Sequence, residues 1–321
     1  MPVFVDVIAP SRLHFGLLSF AQPGTRQYGG AGVMVNQPGL RLRVSPAERF
    51  ECAGPLAERA RAVVERYAGL LEMSSLPPCR VEILAAPEEH IGLGTGTQLA
   101  LSVVQAVHTF RGGERLLPSV LATRAGRGAR SAVGTYGFMY GGLVVEAGKF
   151  GKQRLAPLEQ RFEVPNQWRF VLIRLHGQHG LSGEAERGAF EGLPAVPRTT
   201  TAALLEELSS DLLPALKAGE FERFAESLYR YGHTAGMCFA PRQSGAFASP
   251  RLAELVATVR ELGVRGVGQS SWGPTVFAVL DSPARAEKVV ERLRAQLDQQ
   301  DIITIAEPNN TGAQIITHND P

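Results

Sequence analysis

The glycine-rich stretch HIGLGTGTQ, residues 90–98, contains the first candidates for chemistry in this sequence. Its alternating glycines allow the backbone to adopt positive φ angles and to approach a ligand closely. An apolar helical pattern follows at once, and the free N–H groups at a helix N-terminus form an anion site. It is neither a Walker A loop nor a GxGxxG fingerprint, because no GK[ST] follows and the glycine spacing differs. The alternative is a plain glycine-rich helix entry. The candidate phosphate-binding residues are Gly92, Gly94, Thr95, Gly96, Thr97 and Gln98.

A second stretch, GRGARSAVGTYGFMYGG at residues 126–142, places arginines among small residues. Arg127 and Arg130 suit the bidentate recognition of a phosphate or a carboxylate, and Ser131 lies beside them. The alternative is a solvated basic turn. Either interpretation predicts an exposed loop between two regular elements.

Two further polar stretches lie at the ends of predicted strands. APSRLHFGLL, residues 9–18, ends the first strand, and GVGQSSWGPTVFAVL, residues 266–280, sets polar donors beside a tryptophan between two strands. Polar donors and a large aromatic side chain on a tight turn suit a binding loop. The alternatives are a structural histidine in the first stretch and a hairpin turn with a buried tryptophan in the second. The candidates are Ser11, Arg12 and His14, then Gln269, Ser270, Ser271 and Trp272.

Hydrophobic periodicity predicts an α+β fold, with helices and strands interleaved in both halves and two layers in each domain. The helix after the glycine turn is apolar on nearly every face and should lie at the centre of its domain. The 321 residues suggest two domains, and a boundary at 157–165 divides the chain into 1–164 and 165–321. The predicted strands are 2–9, 40–44, 79–84, 141–146, 168–175, 264–267, 275–280 and 302–306, and the predicted helices are 55–72, 99–110, 116–125, 200–213, 219–235, 250–262 and 283–297.

Composition excludes several classes of partner. The net charge of +2 gives no electrostatic case for nucleic acid, and no apolar run reaches the roughly 20 residues of a membrane span. The three scattered cysteines and the absence of a signal-peptide pattern favour a reducing cytoplasm. His176 and His179 are spaced like metal ligands, but no third ligand lies near, so zinc is not favoured.

Together, the four stretches resemble the GHMP small-molecule kinase superfamily. APSRLHFG with YGGAGV, then GLGTGTQ, then GVGQSSWGPT, stand in the order of its three motifs. Within the superfamily, GLGTGTQLAL, GRGARSAVGTYGF, GGLVVEAG, GLSGEAERGAF and GVGQSSWGPT resemble the signatures of the β-ribofuranosylaminobenzene 5′-phosphate synthase family. The resemblance extends from residue 4 to about residue 280, and GVGQSSWGPT is its most specific element.

The resemblance implies an N-terminal domain like the second domain of ribosomal protein S5, followed by a ferredoxin-like C-terminal domain. It also implies a reaction in methanopterin synthesis: phosphoribosyl pyrophosphate and 4-aminobenzoate or 4-hydroxybenzoate give a C-riboside phosphate, CO2 and pyrophosphate. Two departures weaken the alternative of an ATP-dependent kinase. Gly134 stands where many superfamily kinases carry an aspartate, and Gly96 replaces a serine that is often tied to magnesium.

The resemblance also implies roles for the candidate residues. Residues 92–98 would bind the pyrophosphate, and Arg127, Arg130 and Ser131 would bind a phosphate or the benzoate carboxylate. The first strand would line the substrate side, and residues 269–272 would close the site. We expect Mg²⁺, with Thr97 and Glu146 as candidate ligands, and no organic cofactor. A non-catalytic nucleotide- or metabolite-binding protein is a further alternative, and a homodimer is the expected assembly.

Overall fold

The structure is a computed structural model that describes residues 3–178, 180, 188–243 and 245–319. Two sheets carry the strands, and most helices pack on their faces. The strands are β1 (Phe4–Ser19), β2 (Tyr28–Pro46), β3 (Glu51–Ala53), β4 (Cys79–Ala85), β5 (Leu143–Glu146), β6 (Leu158–Phe162), β7 (Arg169–Arg174), β8 (Val267–Gln269), β9 (Thr275–Leu280), β10 (Ile302–Ala306) and β11 (Gln314–His318). The helices are α1 (Ala57–Leu70), α2 (Thr95–Phe110), α3 (Pro118–Ala125), α4 (Val133–Tyr140), α5 (Arg198–Glu206), α6 (Leu213–Ala218), α7 (Phe221–Met237), α8 (Pro250–Glu261) and α9 (Pro283–Arg294), with a π-helical segment, Glu207–Leu212, joining α5 to α6.

The first sheet has the strand order β11-β1-β2-β4-β3, and β5 and β6 extend it from β2. One face of this sheet packs against α1, α2 and α3 through a continuous apolar core. Helix α2 is buried along almost its whole length, which confirms its predicted central position. Its burial explains why its apolar residues cover nearly every face rather than one stripe.

A register shift in β1 turns the polar residues of the first motif toward the start of α2. Val5 and Val7 belong to the core beneath α1 and α2, whereas Leu13 and Phe15 belong to the core against the second sheet. The pairing of β1 with β2 is irregular between Ala9 and Ser11, where β2 carries extra residues. An irregularity of this kind reorients the side chains that follow it.

The second sheet has the strand order β10-β7-β9-β8. Its alternation places Phe170 and Phe277 toward α7 and the first sheet, and Val171 and Val276 toward α8 and α9. Because the inner residues share one core with β1 and β2, the two sheets and α7 form a continuous packed structure. Within the described ranges, every helix falls short of the length and hydrophobicity needed to cross a membrane.

The predicted elements are largely present, with several informative differences. Strand β1 extends to Ser19, so the APSRLHFG motif lies within a strand rather than after one. Helix α4 lies where a loop is predicted, because its glycines allow close packing: a Cβ on Gly137 would lie 2.2 Å from the Met34 sulfur. Strand β6 lies within the predicted boundary, and the short β3 is also missed. Strand β11 pairs with β1 in the first sheet, although the division at residue 164 assigns it to the second domain. That division stays a prediction.

Candidate active site

A cavity of about 400 Å³ lies where the two sheets meet. It is lined by the middle of β1, the start of α2, residues 126–131, the end of α7, parts of residues 239–247, and residues at the β8–β9 turn. All four stretches selected from the sequence therefore contribute residues to one cavity. The glycine stretch contributes Thr97 to its wall.

The N-terminus of α2 presents backbone N–H groups without a side-chain cap from any described residue. Gly94 is its N-cap, in a left-handed conformation with φ 72°, and its carbonyl oxygen accepts from the N–H groups of Thr97 and Gln98 at 2.9 and 3.0 Å. The Thr95 hydroxyl donates instead to the Glu88 carbonyl at 2.9 Å. The first N–H groups of a helix have no acceptor within it, so this terminus attracts an anion.

Arginine side chains surround this helix start. A Cβ placed on Gly94 would lie 3.2 Å from Nε of Arg12. A Cβ placed on Gly96 would lie 2.6 Å from a guanidinium nitrogen of Arg59 and 3.6 Å from one of Arg127. Burial, reinforced by the charge of Arg59, lowers the pKa of Arg127 to about 10. Like charges brought this close are costly unless an anion neutralises them.

A hydrogen-bonded pair, His14 and Ser131, forms the floor of the cavity beside these arginines. The backbone N–H of Gly16 donates to Nδ1 of His14 at 3.2 Å, so the ring proton of neutral His14 lies on Nε2. Nε2 lies 3.1 Å from the Ser131 hydroxyl and donates to it. Burial and the charge of Arg12 hold the pKa of His14 well below its ordinary value. This histidine is therefore a neutral hydrogen-bond donor that orients Ser131.

Glu146 supports the same loop from beneath and lies outside the cavity lining. Its carboxylate accepts from the Ala132 N–H at 2.9 Å, and the side chain is completely buried. Burial raises the pKa of Glu146 to about 7, although hydrogen bonds from Ser131 and Ala132 oppose this rise. Its Oε1 has no hydrogen-bond partner among the described residues, and its role as a Mg²⁺ ligand stays a prediction. Across the described ranges, no cluster of three or more histidine, cysteine, aspartate or glutamate side chains could hold a metal ion.

The turn between β8 and β9 closes the cavity by hydrogen bonding to the first sheet. The Ser270 hydroxyl donates to the Gly92 carbonyl at 2.7 Å and accepts from the His14 N–H at 3.0 Å. The Ser271 N–H donates to the His14 carbonyl at 3.1 Å. Ser270 is fully buried, and its hydrogen bonds tie the β8–β9 turn to the first sheet. Ser271 and Gln269 line the cavity.

Aromatic side chains form a further part of the cavity wall. Trp272 lies edge-on to Phe239 and Phe190, with ring centroids 5.0 and 5.8 Å apart. The guanidinium group of Arg130 lies 4.6 Å from the centre of the Phe190 ring. A flat aromatic ligand with an acidic group would find both stacking surfaces and a cation here.

Some candidate residues have structural roles. The buried Ser11 hydroxyl donates to the Pro38 carbonyl at 2.5 Å and does not reach the cavity lining. The Gln98 amide donates to the Gly134 carbonyl at 3.0 Å and ties α2 to α4. The N–H of His176 donates to Asp301 at 2.7 Å. His179 and most of the GLSGEAERGAF motif lie outside the described residues.

Sequence reasoning missed Arg59, Phe190 and Phe239. Arg59 lies on α1, in a helical pattern that is otherwise ordinary, and only the fold brings it to Gly96. Phe190 ends a motif quoted for the family resemblance, so its position offered a signal that residue chemistry alone did not.

Comparisons with known proteins agree with the fold described above. Residues 212–299 match the family described as GHMP kinases C terminal. Mevalonate diphosphate decarboxylase from Staphylococcus aureus superposes with a TM-score of 0.67 and 14% identity, covering 98% of both chains. Residues 212–299 therefore match a GHMP kinase C-terminal domain, and the chain has the fold of the GHMP kinases. The predicted fold class is thereby confirmed.

Similar sequences point to one group of enzymes within this fold. A β-ribofuranosylphenol 5′-phosphate synthase from Methanothermobacter thermautotrophicus is 25% identical over 88% of this chain and 90% of its own. One of the same name from Archaeoglobus fulgidus is 28% identical over 86% of this chain and 87% of its own. The synthase resemblance predicted from the motifs is therefore confirmed across most of the chain.

Proposed function

We propose that this protein is a C-riboside synthase that joins phosphoribosyl pyrophosphate to a 4-substituted benzoate and releases CO2 and pyrophosphate. One observation carries the proposal: arginines line the cavity, and so does Gly134, which stands where many superfamily kinases carry an aspartate. Phosphoryl transfer in this superfamily would need an acidic partner for the substrate hydroxyl or for the metal. A departing pyrophosphate needs positive charge instead.

The reaction balances without a protein base. The ring carbon that carries the carboxylate attacks the anomeric carbon of the ribose. The bond between the anomeric carbon and the pyrophosphate oxygen breaks, and pyrophosphate leaves. The bond between the ring carbon and the carboxylate then breaks, and CO2 leaves. The electron pair of that bond stays with the ring and restores its aromaticity. No ring proton has to be removed. The proposed reaction therefore does not depend on a general base in the cavity.

The described residues would divide the work between two ends of the cavity. Arg12 and Arg127, beside the N-terminus of α2, would bind the pyrophosphate and stabilise its growing charge. Trp272 and Phe239 would hold the benzoate ring, and Arg130 would face its carboxylate. An arginine bound too tightly to that carboxylate would oppose decarboxylation, so Arg130 should orient it rather than bury it. Mg²⁺ would be bound together with the pyrophosphate, since this ion is usually held partly by the phosphates of a substrate.

The names of the two relatives favour 4-hydroxybenzoate as the aromatic substrate, because the product in their names is a phenol. Both 4-hydroxybenzoate and 4-aminobenzoate should therefore be tested, and we expect faster turnover with the hydroxyl compound. The setting implied by the resemblance is methanopterin synthesis in the cytoplasm. A homodimer stays the expected assembly.

The decisive test is release of labelled CO2. The protein is incubated with phosphoribosyl pyrophosphate, Mg²⁺ and either benzoate labelled at its carboxyl carbon. We expect labelled CO2 and pyrophosphate in equal amounts. Arg127→Ala should reduce this turnover at least a hundredfold, since loss of a charged donor to the leaving group costs about 3 kcal/mol. Arg292→Ala, an exposed arginine on α9, is the matched control and should leave turnover unchanged.

Two other outcomes would identify the rival functions. Formation of ADP from ATP with a panel of small hydroxyl substrates, and no CO2, would identify a kinase and refute the synthase. Tight binding of a nucleotide or phosphoribosyl pyrophosphate with no product in either assay would identify a non-catalytic binding protein.

A further inference from the structure

The position above Gly96 is occupied by a guanidinium group rather than by a side chain of α2. A Cβ on Gly96 would lie 2.6 Å from one guanidinium nitrogen of Arg59 and 3.1 Å from its central carbon. The same Cβ would lie 3.6 Å from a guanidinium nitrogen of Arg127. A residue with any side chain at this position would therefore displace Arg59. Gly96 and Arg59 form a matched pair: the missing side chain leaves the space that the arginine fills.

Arg59 reaches this point from α1, which lies outside every motif selected from the sequence. It is the third residue of α1, and its side chain is 34% exposed. An ion pair with Glu89 holds the guanidinium group in place. Glu89 lies just before the glycine-rich turn at residues 90–98. The same segment therefore carries the turn and holds Arg59 beside it.

Among the described residues near this point, positive charge exceeds negative charge. The charges of Arg59 and Arg66 both lower the pKa of Arg127, after the larger effect of burial. Nε of Arg127 is buried and has no hydrogen-bond partner among the described residues. Glu89 is the carboxylate that pairs with Arg59, and Arg127 has no ion pair within the described ranges. Guanidinium groups so arranged are suited to an anion with several charged oxygens.

We propose that Arg59 is a pyrophosphate-binding residue, and that Gly96 is required because it admits Arg59 to the start of α2. The role rests on the proposed function for its substrate, a pyrophosphate ester. Arg59 would bind the outer phosphate while Arg127, on the cavity wall, binds the inner one. Arg59 thus replaces, with a fixed positive charge, the serine that superfamily kinases were expected to carry at this position.

The binding test uses inorganic pyrophosphate and does not depend on turnover. Titration calorimetry on the full chain measures the Kd of pyrophosphate with and without Mg²⁺. Arg59→Ala should weaken binding roughly tenfold to a hundredfold, as expected for loss of hydrogen bonds between charged groups. Arg59→Lys keeps the positive charge but loses the planar guanidinium group. Its Kd for pyrophosphate should therefore lie between those of the unaltered protein and Arg59→Ala. Arg292→Ala should bind like the unaltered protein.

A double-mutant cycle tests the pairing of Gly96 with Arg59. Gly96→Ser should weaken pyrophosphate binding about as much as Arg59→Ala, because the serine displaces the guanidinium group. The double variant should bind no more weakly than Arg59→Ala alone, since the two changes remove one interaction. Circular dichroism and the thermal midpoint of each variant verify that the fold is kept, and Arg59→Lys serves if Arg59→Ala fails to fold.

The outcomes separate this inference from the reaction proposed above. If Arg59→Ala binds pyrophosphate within twofold of the unaltered protein, or if the two effects add, the role of Arg59 is refuted even where CO2 is released. Absence of pyrophosphate binding at millimolar concentration by the unaltered protein also refutes it. If binding depends on Arg59 but no CO2 forms, the inference stands and the proposed reaction is wrong.

Discussion

Glu146 offers a test of the site that needs no substrate. Its side chain is completely buried and accepts the Ala132 N–H, so it positions the loop that carries Arg130 and Ser131. The pKa of its carboxyl is raised from 4.5 to about 7, chiefly by burial. A displacement of this size corresponds to about 3 kcal/mol of folding free energy.

The sign of this effect follows from the protons bound in each state. Between pH 4.5 and 7, Glu146 is ionised in the unfolded chain and protonated in the folded protein. The folded state therefore binds more protons, and the stability that Glu146 contributes is present below pH 4.5 and is lost as the pH rises through 7. His14, whose pKa is lowered by burial, acts in the opposite direction: its contribution is lost as the pH falls below 6.5.

Comparison with Glu146→Gln isolates the carboxyl from His14 and from every other titrating group. Urea unfolding, followed by the fluorescence of the buried Trp168, gives the free energy of unfolding at several pH values between 4.5 and 8. Relative to Glu146→Gln, the unaltered protein should lose up to about 3 kcal/mol across this range. Glu254→Gln, an exposed carboxylate on α8, is the control and should run parallel to the unaltered protein.

Parallel curves for the unaltered protein and Glu146→Gln would refute the reasoning, because they would show that the buried carboxyl titrates normally. A difference that grows toward low pH would refute it as well, since it would mean a lowered pKa and an ion pair that the fold does not show. The variant should also keep its loop in place, because the glutamine carbonyl can still accept the Ala132 N–H.

Three further predictions concern the cavity itself. Arg130→Ala should reduce CO2 release at least tenfold while changing the free energy of unfolding by less than about 1 kcal/mol, since it faces the cavity; near-full turnover would mean that the site is misplaced. Gly94→Val should abolish turnover, because valine is strained at a φ of 72° and would push against Arg12. Gly112→Val is the control: its φ is 86° with open space around it, so it should lose similar stability but keep its activity. Trp272→Ala should raise the KM for the benzoate several-fold and leave the KM for phosphoribosyl pyrophosphate unchanged, with Trp272→Phe restoring most of the loss; an equal change in both values would argue against a stacking role.

The sequence by itself determined most elements of the fold and the presence of a glycine-rich turn before a buried helix. Helix α2 and strand β9 are apolar along their lengths, and their local patterns leave little choice of structure. The glycines at 92, 94 and 96 also give a local signal, because alternating glycines before an apolar helix predict a turn with positive φ angles. These are local signals, set by period and by backbone freedom.

Tertiary structure decided which residues meet. The register shift in β1 turns Arg12 and His14 toward α2, and no local pattern encodes it, since it depends on pairing with extra residues in β2. Helix α4, with its two glycines, is stabilised by close packing rather than by propensity. The approach of Arg59 to Gly96 joins two helices, and the sequence can show that a side chain is missing at residue 96 but not which guanidinium group fills the space. Contacts between distant segments follow from the packing of whole sheets and helices, and that packing is a property of the complete fold.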